Sequence, residues 1–325
     1  MAQKKRKKGK NKKQKFKFSL FLIGSVVLIA LLLSFMNGNS SLFQQEEVGE
    51  SSTETVTQTE DGKLQVCCIN VGQGDATLIM SDTKNVLIDG GERGQGKNVM
   101  AILEKYKIKK LDYVIATHPH SDHIGGIVDI LYAMMKKDTS LKINRIITCD
   151  VADEIVPTSK TYEYFLSDID ELDINFTVLE KTKTLSLGNA SMKIVPSPYT
   201  DDKNLNNESL VTIISHGKND FVFTGDAEKA EEAALVGQDV FKGLGTVIYQ
   251  AGHHGSETAS TDILLDEIRP QYAVVSCGRD NSYGHPHKAA MNRLKKYTDR
   301  IFRTDEEGNI LFVSDGRLCS YKTFR

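Results

Sequence analysis

Cysteine is scarce in this chain, and its spacing suggests no disulfide framework. The 325 residues contain five cysteines, an odd number. Cys67 and Cys68 are neighbours on a predicted strand, so their side chains would point to opposite faces. We interpret all five as small buried apolar residues without a function: Cys67, Cys68, Cys149, Cys277 and Cys319.

Beyond the N-terminus, basic residues are fewer than acidic residues. Ten of the 41 Lys and Arg residues fall within residues 1–17, which contain no acid. The remaining 31 stand against 43 acidic residues, so the rest of the chain carries a formal charge of about −12. Such a domain lacks the basic surface of a protein that binds DNA tightly without sequence preference. Attraction to a polyanion would have to come from metal ions and local basic residues.

An apolar segment follows the basic tail. It runs from Leu20 to Met36 without a charged residue, at the short end of the range for a membrane-spanning helix. The positive-inside rule places the basic end in the cytoplasm and the rest outside the membrane. Two alternatives are a nucleic-acid-binding arm for the tail and a cleaved signal peptide for the segment. We predict a basic cytoplasmic tail over 1–18 and a single transmembrane anchor over 19–36, with the remainder extracellular.

Residues 37–61 contain six acids and no Lys or Arg, among Ser, Thr, Gln and Asn. This composition cannot bury a core, so we predict a flexible stalk. From residue 62 to 325, predicted strands and helices alternate without an internal repeat, which is typical of one layered α/β domain with mixed sheets. The predicted strands are 64–70, 76–80, 84–88, 111–116, 143–148, 175–180, 192–196, 209–215, 220–224, 245–250, 271–276 and 309–314, and the helices are 97–107, 124–137, 161–170, 227–236, 260–268 and 287–297.

Three histidines and an aspartate lie within six residues, on a loop between a buried strand and a helix: His118, His120, Asp122 and His123. Neutral imidazole and carboxylate suit Zn²⁺, Mn²⁺ or Fe. If the strand period continues, His118 and His120 point the same way. Asp122 and His123 can turn toward a second ion at the helix start. One loop could therefore serve two metal ions.

Asp226 ends another apolar strand, directly after Thr224 and Gly225. Taken alone, it would be interpreted as the N-cap of a helix that starts at Ala227. Beside a His-x-His-x-Asp-His cluster we favour a different role, because paired cations need a bridging carboxylate.

Further histidines follow two later strands. His253 and His254 are adjacent and flanked by glycines, so we expect one to ligate metal and the other to contact an anion. His285 and His287 lie in a polar loop before a helix, where either a substrate contact or a purely structural turn is open. His216 is predicted to be a solvated hairpin residue.

Two acids stand at glycine-rich strand ends. Asp75 and Asp89 could each accept a hydrogen bond from a ligand histidine and fix its tautomer. Turn-forming acids stabilised by nearby N–H groups are an equal alternative.

Together, these motifs resemble the metallo-β-lactamase superfamily, whose signature is His-x-His-x-Asp-His. More narrowly, residues 70–75, 224–226, 253–256 and 283–286 resemble the hydrolase domain of ComEC-type DNA-uptake proteins, over about residues 64–325. The resemblance implies a four-layer αββα sandwich with a dinuclear site at one edge of the paired sheets. It implies that His118 and His120 hold one metal, that Asp122, His123 and His254 hold the other, and that Asp226 bridges.

The sequence departs from β-lactam-cleaving members at one position. No histidine precedes the strand at 209–215, where Asn206, Asn207, Glu208 and Ser209 stand instead. This argues against β-lactam hydrolysis and, less strongly, against a lactonase. This histidine is also expected to be missing from ComEC-like domains and from phosphorylcholine esterases, where water or substrate phosphate can fill its position.

The predicted function is metal-dependent hydrolysis of a phosphodiester by a water activated between two divalent ions, Zn or Mn. The predicted catalytic residues are Asp122, His253 and His285, with an imidazole neutralising charge on the phosphoryl oxygens. The predicted partners are DNA or a phosphorylated surface polymer as substrate, and the membrane through the N-terminal helix. No stable protein partner can be inferred. The alternatives are a surface esterase for phosphorylated wall polymers and a non-catalytic, metal-stabilised binding module.

Overall fold

The computed structural model describes residues 62–198 and 203–325. The predicted tail, anchor and stalk lie outside the described residues. Within the described ranges, no helix combines the length and apolar character needed to cross a bilayer.

The described residues form seventeen strands and seven α-helices. The strands are β1 (Leu64–Cys68), β2 (Thr77–Met80), β3 (Asn85–Ile88), β4 (Lys110–Leu111), β5 (Tyr113–Ala116), β6 (Lys142–Ile143), β7 (Arg145–Cys149), β8 (Asn175–Leu179), β9 (Lys183–Leu187), β10 (Ala190–Val195), β11 (Val211–His216), β12 (Asn219–Phe223), β13 (Thr246–Gln250), β14 (Tyr272–Val275), β15 (Ile301–Arg303), β16 (Asn309–Ser314) and β17 (Cys319–Phe324). The helices are α1 (Gly96–Lys105), α2 (Ser121–Met135), α3 (Lys160–Glu171), α4 (Lys229–Gly237), α5 (Asp262–Ile268), α6 (Lys288–Leu294) and α7 (Thr304–Glu307). Short 3₁₀ turns cover Asp153–Ile155, Leu205–Glu208 and Gly252–Gly255.

Two large mixed sheets organise the domain. One has eight strands in the order β17-β16-β1-β2-β3-β5-β7-β8, and the other has seven in the order β15-β14-β13-β12-β11-β10-β9. Strands β4 and β6 form a small separate sheet. In the first large sheet β3, β5, β7 and β8 run parallel. In the second, β12, β13, β14 and β15 do.

Helices cover the outer face of each large sheet. Apolar side chains of α1, α2 and α3, such as Val99, Ile127 and Phe165, pack with Leu78 and Leu87 of the first sheet. Those of α4, α5 and α6 pack in the same way on the second sheet. Because each strand of these sheets alternates its side chains, the opposite faces remain free to pack on each other.

The inner faces of the two sheets meet in the middle of the domain. The rings of Phe221 and Phe312 lie 6.2 Å apart across this layer. Cys68 contacts Gln250 Oε1 at 3.7 Å, and Thr77 donates to the same oxygen at 2.8 Å. The result is a mixed α/β sandwich in the predicted αββα order.

Each predicted strand and helix has a counterpart, but the prediction missed strands at the sheet margins. Strands β9 and β17 carry many polar, half-exposed residues, so they lack the apolar pattern of a buried strand. The prediction for His216 was wrong. This residue is buried and bonds Ser314 Oγ at 2.9 Å, because the β11–β12 hairpin packs against the turn after β16, where Lys218 N donates to Gly316 O. The predicted burial of the cysteines is confirmed, since all five are free and buried.

Candidate metal centre

The predicted site residues follow the carboxyl ends of parallel strands. Asp89 follows β3 and His118 follows β5 in the first sheet, whereas Asp226 follows β12 and His254 follows β13 in the second. Carboxyl ends of parallel strands lie at one edge of a sheet, which is where open α/β sheets form their ligand crevices. The two sheets thus contribute side chains to one edge of the sandwich.

The start of α2 is clamped to the loop after β3. Gly90 N donates to His123 O at 2.7 Å, and Gly126 N donates to Gly91 O at the same distance. A Cβ added at Gly126 would lie only 1.9 Å from Gly90 O, so this close approach requires glycine. The helix begins at Ser121, three residues earlier than predicted. His123 is consequently held in the first helical turn, facing Asp89.

Four side chains form what we call the His123 group: Asp122, His123, Asp226 and His254. Their donor atoms all lie within 4.8 Å of one another, close enough to hold one metal ion. His123 Nε2 is 3.2 Å from Asp226 Oδ1, and His254 Nε2 is 3.2 Å from Asp122 Oδ2. Three of the four residues are buried.

A second set, which we call the His118 group, consists of His118, His120 and Asp226, whose donor atoms also lie within 4.8 Å of one another. His118 Nε2 is 3.0 Å from His120 Nδ1 and 3.7 Å from Asp226 Oδ2. The two nitrogens therefore converge on one point beside the carboxylate.

Asp226 belongs to both groups. Its Oδ1 faces His123 and also lies 3.6 Å from His254 Nε2, whereas its Oδ2 faces His118. Its backbone N–H donates to Ser209 Oγ at 3.1 Å, which helps to fix the residue. The alternative N-cap role is wrong, because α4 begins at Lys229 and its N-cap is Glu228.

The buried polar atoms of the site fit a cation. His123 Nε2, His254 Nε2 and Asp226 Oδ1 are fully buried, yet among the described residues none has a hydrogen-bond partner of good geometry. Leaving a buried polar atom unpaired costs about 1–3 kcal/mol. All three belong to the His123 group, so a cation there would satisfy them together. The donor set of imidazoles and carboxylates suits Zn²⁺ or Mn²⁺.

The electrostatic environment differs between the histidines. Burial opposes a charge on His123, but the carboxylates of Asp226 and Asp89 outweigh it and raise its pKa well above the usual value. Asp226 and Asp75 raise the pKa of His254 in the same way. Burial and the neighbouring charge of His123 instead lower the pKa of His118 and of His120. The His123 group is thus an environment that attracts positive charge.

Two buried carboxylates orient the histidines of the His123 group. His123 Nδ1 lies 2.8 Å from Asp89 Oδ2, and His254 Nδ1 lies 3.1 Å from Asp75 Oδ1. Asp89 also accepts from the backbone N–H and the hydroxyl of Thr117. Each carboxylate holds the Nδ1 proton of its histidine and leaves Nε2 to face Asp226 or Asp122.

A cleft of about 290 Å³ opens above the two groups. His253 and His285 line it, with ring centroids 5.5 Å apart. His253 Nδ1 lies 3.3 Å from Glu228 Oε1. Gln73 donates to His285 Nδ1 at 3.4 Å. Burial and the charge of His254 lower the pKa of His285 to about 4, so its imidazole is neutral at pH 7.

His253 and His254 both adopt left-handed backbone conformations, with φ of 50° and 55°. For residues other than glycine this conformation is uncommon and costs free energy. Hydrogen bonds from His253 N to Gly225 O and from Ser256 N to His253 O stabilise it. As a result, His254 points into the metal centre while the adjacent His253 lines the cleft.

The structure does not bring every histidine to the cleft. The Nδ1 atom of His287 accepts from Glu257 N at 3.0 Å, and its Nε2 donates to Tyr283 O at 3.1 Å. Both ring nitrogens are therefore used within the loop, and His287 has a structural role before α6.

Several residues of the site were missed from the sequence. Gln73, Glu92, Ser121 and Tyr283 line the cleft, and Ser209 contacts both His118 and Asp226. Ser209 lies shortly before β11 in the segment that lacks a histidine. This position was the one sequence signal for its role in the site. No sequence signal indicated the role of Glu228, which contacts His253 from another element.

Residues 69–133 match the Metallo-beta-lactamase superfamily. Over this segment the chain is similar to proteins of that superfamily, and its mixed α/β sandwich is consistent with their fold. It is similar to ComE operon protein 3 of Bacillus subtilis, with 25% identity over 80% of the chain and 34% of that protein. It is also similar to Recombination protein 2 of Haemophilus influenzae, with 29% identity over 76% of the chain and 28% of that protein. The chain thus spans about a third of the length of these relatives.

Among solved structures, the chain is similar to the metallo-beta-lactamase fold protein YhfI from Bacillus subtilis. The identity is 14%, the TM-score is 0.44, and the match covers 74% of this chain and 95% of that one.

Proposed function

We propose that this hydrolase is a dinuclear metal-dependent phosphodiesterase that acts on nucleic acid. In this proposal His118 and His120 hold one cation, Asp122, His123 and His254 hold the other, and Asp226 bridges them. The observation that carries the proposal is the position of Asp226, whose two carboxylate oxygens face different donor groups. A carboxylate shared in this way is what a pair of cations requires.

A pair of divalent ions, Zn²⁺ or Mn²⁺, would polarise the phosphoryl group and lower the pKa of a water molecule for in-line attack. The protein would contribute orientation and charge around them. His253 lies 3.7 Å from Asp226 Oδ2 and 22% of its side chain is exposed, so it can meet a phosphoryl oxygen in the cleft. His285, neutral at pH 7, carries its proton on Nε2 because Nδ1 accepts from Gln73. It would act as a hydrogen-bond donor.

The cleft rim favours a substrate with planar groups. The Tyr283 ring is 59% exposed and stacks on His285, with centroids 5.6 Å apart and an angle of 21°. Exposed aromatic rings beside a cleft stack nucleobases, at about 1–3 kcal/mol per base. Recombination is in the name of one of the relatives, and this agrees with a nucleic-acid substrate.

The test uses the full chain loaded with Zn²⁺ or Mn²⁺. We expect it to cleave bis-p-nitrophenyl phosphate and single-stranded DNA, and the variants His120→Ala and Asp122→Ala to lose this activity. Metal-loaded protein that cleaves neither substrate faster than these variants would overturn the proposal.

The preferred substrate distinguishes the proposed activity on nucleic acid from the esterase alternative. A choline phosphodiester and an oligonucleotide are compared with Tyr283→Leu and Tyr283→Phe variants. We expect Tyr283→Leu to raise KM for the oligonucleotide several-fold, and Tyr283→Phe to leave it unchanged because the ring remains. A preference of the wild-type protein for the choline ester would instead support the surface esterase.

We further propose that the hydrolase domain is extracellular and anchored by residues 19–36. The support is the sequence alone: a basic tail and an uncharged apolar segment follow each other. Protease added to intact cells should digest a tag at the C-terminus and spare a tag at the N-terminus. The reverse pattern, or a protein recovered without membranes, would contradict the proposed topology.

A further inference from the structure

Asn206 is a buried polar residue at the cation site whose amide oxygen has no assigned role. It lies in the 3₁₀ turn Leu205–Glu208 before β11, is 8% exposed, and lines the cleft with His120 and Asp226. Its Oδ1 atom is buried without a hydrogen-bond partner among the described residues.

The orientation of this amide is determined by a neighbour. Asn206 Nδ2 donates to Glu228 Oε1 at 3.1 Å, and Asn204 Nδ2 donates to Glu228 Oε2 at 3.0 Å. A carboxylate accepts but does not donate, so the nitrogen of Asn206 must face Glu228. The amide oxygen is therefore held on the side away from Glu228.

The His118 group is the cation position that lacks a donor. The His123 group has four donor residues, whereas the His118 group has three, one of which is the shared Asp226. A catalytic Zn²⁺ takes three ligands from the protein and keeps a fourth position for water or substrate, so the three donors of the His118 group leave room for one more, and Mn²⁺ takes more ligands still. An amide oxygen is an accepted ligand of hard and borderline cations.

We propose that Asn206 Oδ1 completes the donor set of the His118 group, and that Glu228 orients it. The inference rests on the proposed function, because it requires a cation at the His118 group. It makes Asn206 a metal ligand and Glu228 a positioning residue.

The experiment is calorimetric titration of the metal-free full chain with Zn²⁺ and, separately, with Co²⁺ followed by its visible absorption. We expect wild-type protein to bind two equivalents. Asn206→Leu keeps the size of the side chain but removes the oxygen, and should weaken the second, weaker equivalent by about 10–100-fold. Asn206→Asp combined with Glu228→Gln keeps an oxygen at position 206 and a donor–acceptor pair between the two side chains, and should retain both equivalents. Unfolding midpoints of the metal-free variants control for misfolding.

Two outcomes would overturn the inference: an Asn206→Leu variant with two equivalents of unchanged affinity and an unchanged Co²⁺ spectrum, or a wild-type protein that binds one equivalent. Hydrolysis of bis-p-nitrophenyl phosphate is measured in parallel. If the affinities follow the expected order but no hydrolysis occurs, the proposed function fails while the role of Asn206 stands.

Discussion

The two donor groups of this protein share a carboxylate, but they are built differently. In the His123 group, each histidine is held by a buried carboxylate, Asp89 or Asp75. In the His118 group, the Nδ1 atom of His118 meets two hydroxyls and no carboxylate among residues 62–198 and 203–325, those of Thr117 at 3.2 Å and Ser209 at 3.4 Å. A carboxylate partner makes an imidazole a better ligand than a hydroxyl partner does.

The difference teaches that a dinuclear site need not be symmetric. With four donors and two orienting acids, the His123 group should bind a cation more tightly than the His118 group, where His118 meets uncharged hydroxyls. We therefore expect stepwise loading, with the His123 group filled first.

The largest effect is expected from Asp226→Asn, because this change removes the charge that both groups share. The value of kcat/KM for bis-p-nitrophenyl phosphate should fall by about 10²–10³-fold or more, the loss seen when a group that stabilises transition-state charge is removed. The metal content should also fall, as measured by elemental analysis. Asp239→Asn, at an aspartate that is 70% exposed, serves as control. Full metal content and activity in Asp226→Asn would contradict a shared carboxylate.

The next effect separates the two groups through their orienting residues. Asp89→Asn and Asp75→Asn should each weaken the first, tighter equivalent by about 10–100-fold, because the amide holds the imidazole less strongly. Ser209→Ala should weaken the second equivalent more than the first, because Ser209 contacts His118 as well as the shared Asp226. Zinc titration with a competing chelator measures both steps. If Ser209→Ala weakened the first equivalent as much as Asp89→Asn, the proposed asymmetry would be wrong.

A smaller effect is expected where the backbone supports Asp122. Gly74 has a φ of +118°, and a Cβ there would lie 2.2 Å from Asp122 O. Gly74→Ala should displace Asp122 and lower kcat/KM by about tenfold, in line with the sensitivity of catalysis to displacements near 1 Å. Gly72→Ala is a matched control, since Gly72 also has a positive φ, +71°, but no atom lies within 4 Å of its Cβ position. Equal losses in the two variants would point to backbone strain alone.

The smallest expected effect is a difference in the number of protons that the two groups release when they bind a cation. In the metal-free protein the raised pKa values of His123 and His254 keep these residues protonated at pH 7, whereas His118 and His120 are neutral. A cation that enters the His123 group must displace protons, and one that enters the His118 group need not. The affinity of the first equivalent should therefore fall more steeply as the pH drops from 8 to 6.

Calorimetry at pH 7 in buffers of different ionisation enthalpy counts the protons released at each step. The first equivalent should release more than the second. Equal release at both steps would show that the two positions do not differ in this way.

Much of this site could be predicted from the sequence because its residues follow apolar strands. His118, Asp226 and His254 each stand within a few positions of a strand end, and parallel strands carry such residues to one edge. Asn206 and Glu228 could not be recognised in the same way. Their roles depend on which atom of an amide faces which carboxylate, and this is decided by contacts between residues that are 22 positions apart.

The same limit explains the error at His216. Its hairpin has the polar composition of a solvated turn, and only the arrival of the turn after β16 from the other sheet buries it. The local sequence pattern indicates which residues form a strand. It does not indicate which distant segment will cover the end of that strand.

The position of the centre between two sheets has a consequence for the whole domain. His118 and His123 belong to one half of the sandwich, and Asp226 and His254 belong to the other. A cation bound by residues of both halves would link the two sheets, so the melting temperature should rise with the free metal concentration. By mass action the gain is about 2.7 kcal/mol when the ion is present at a hundred times its dissociation constant. Chelation would then loosen the two halves of the sandwich as well as stop turnover.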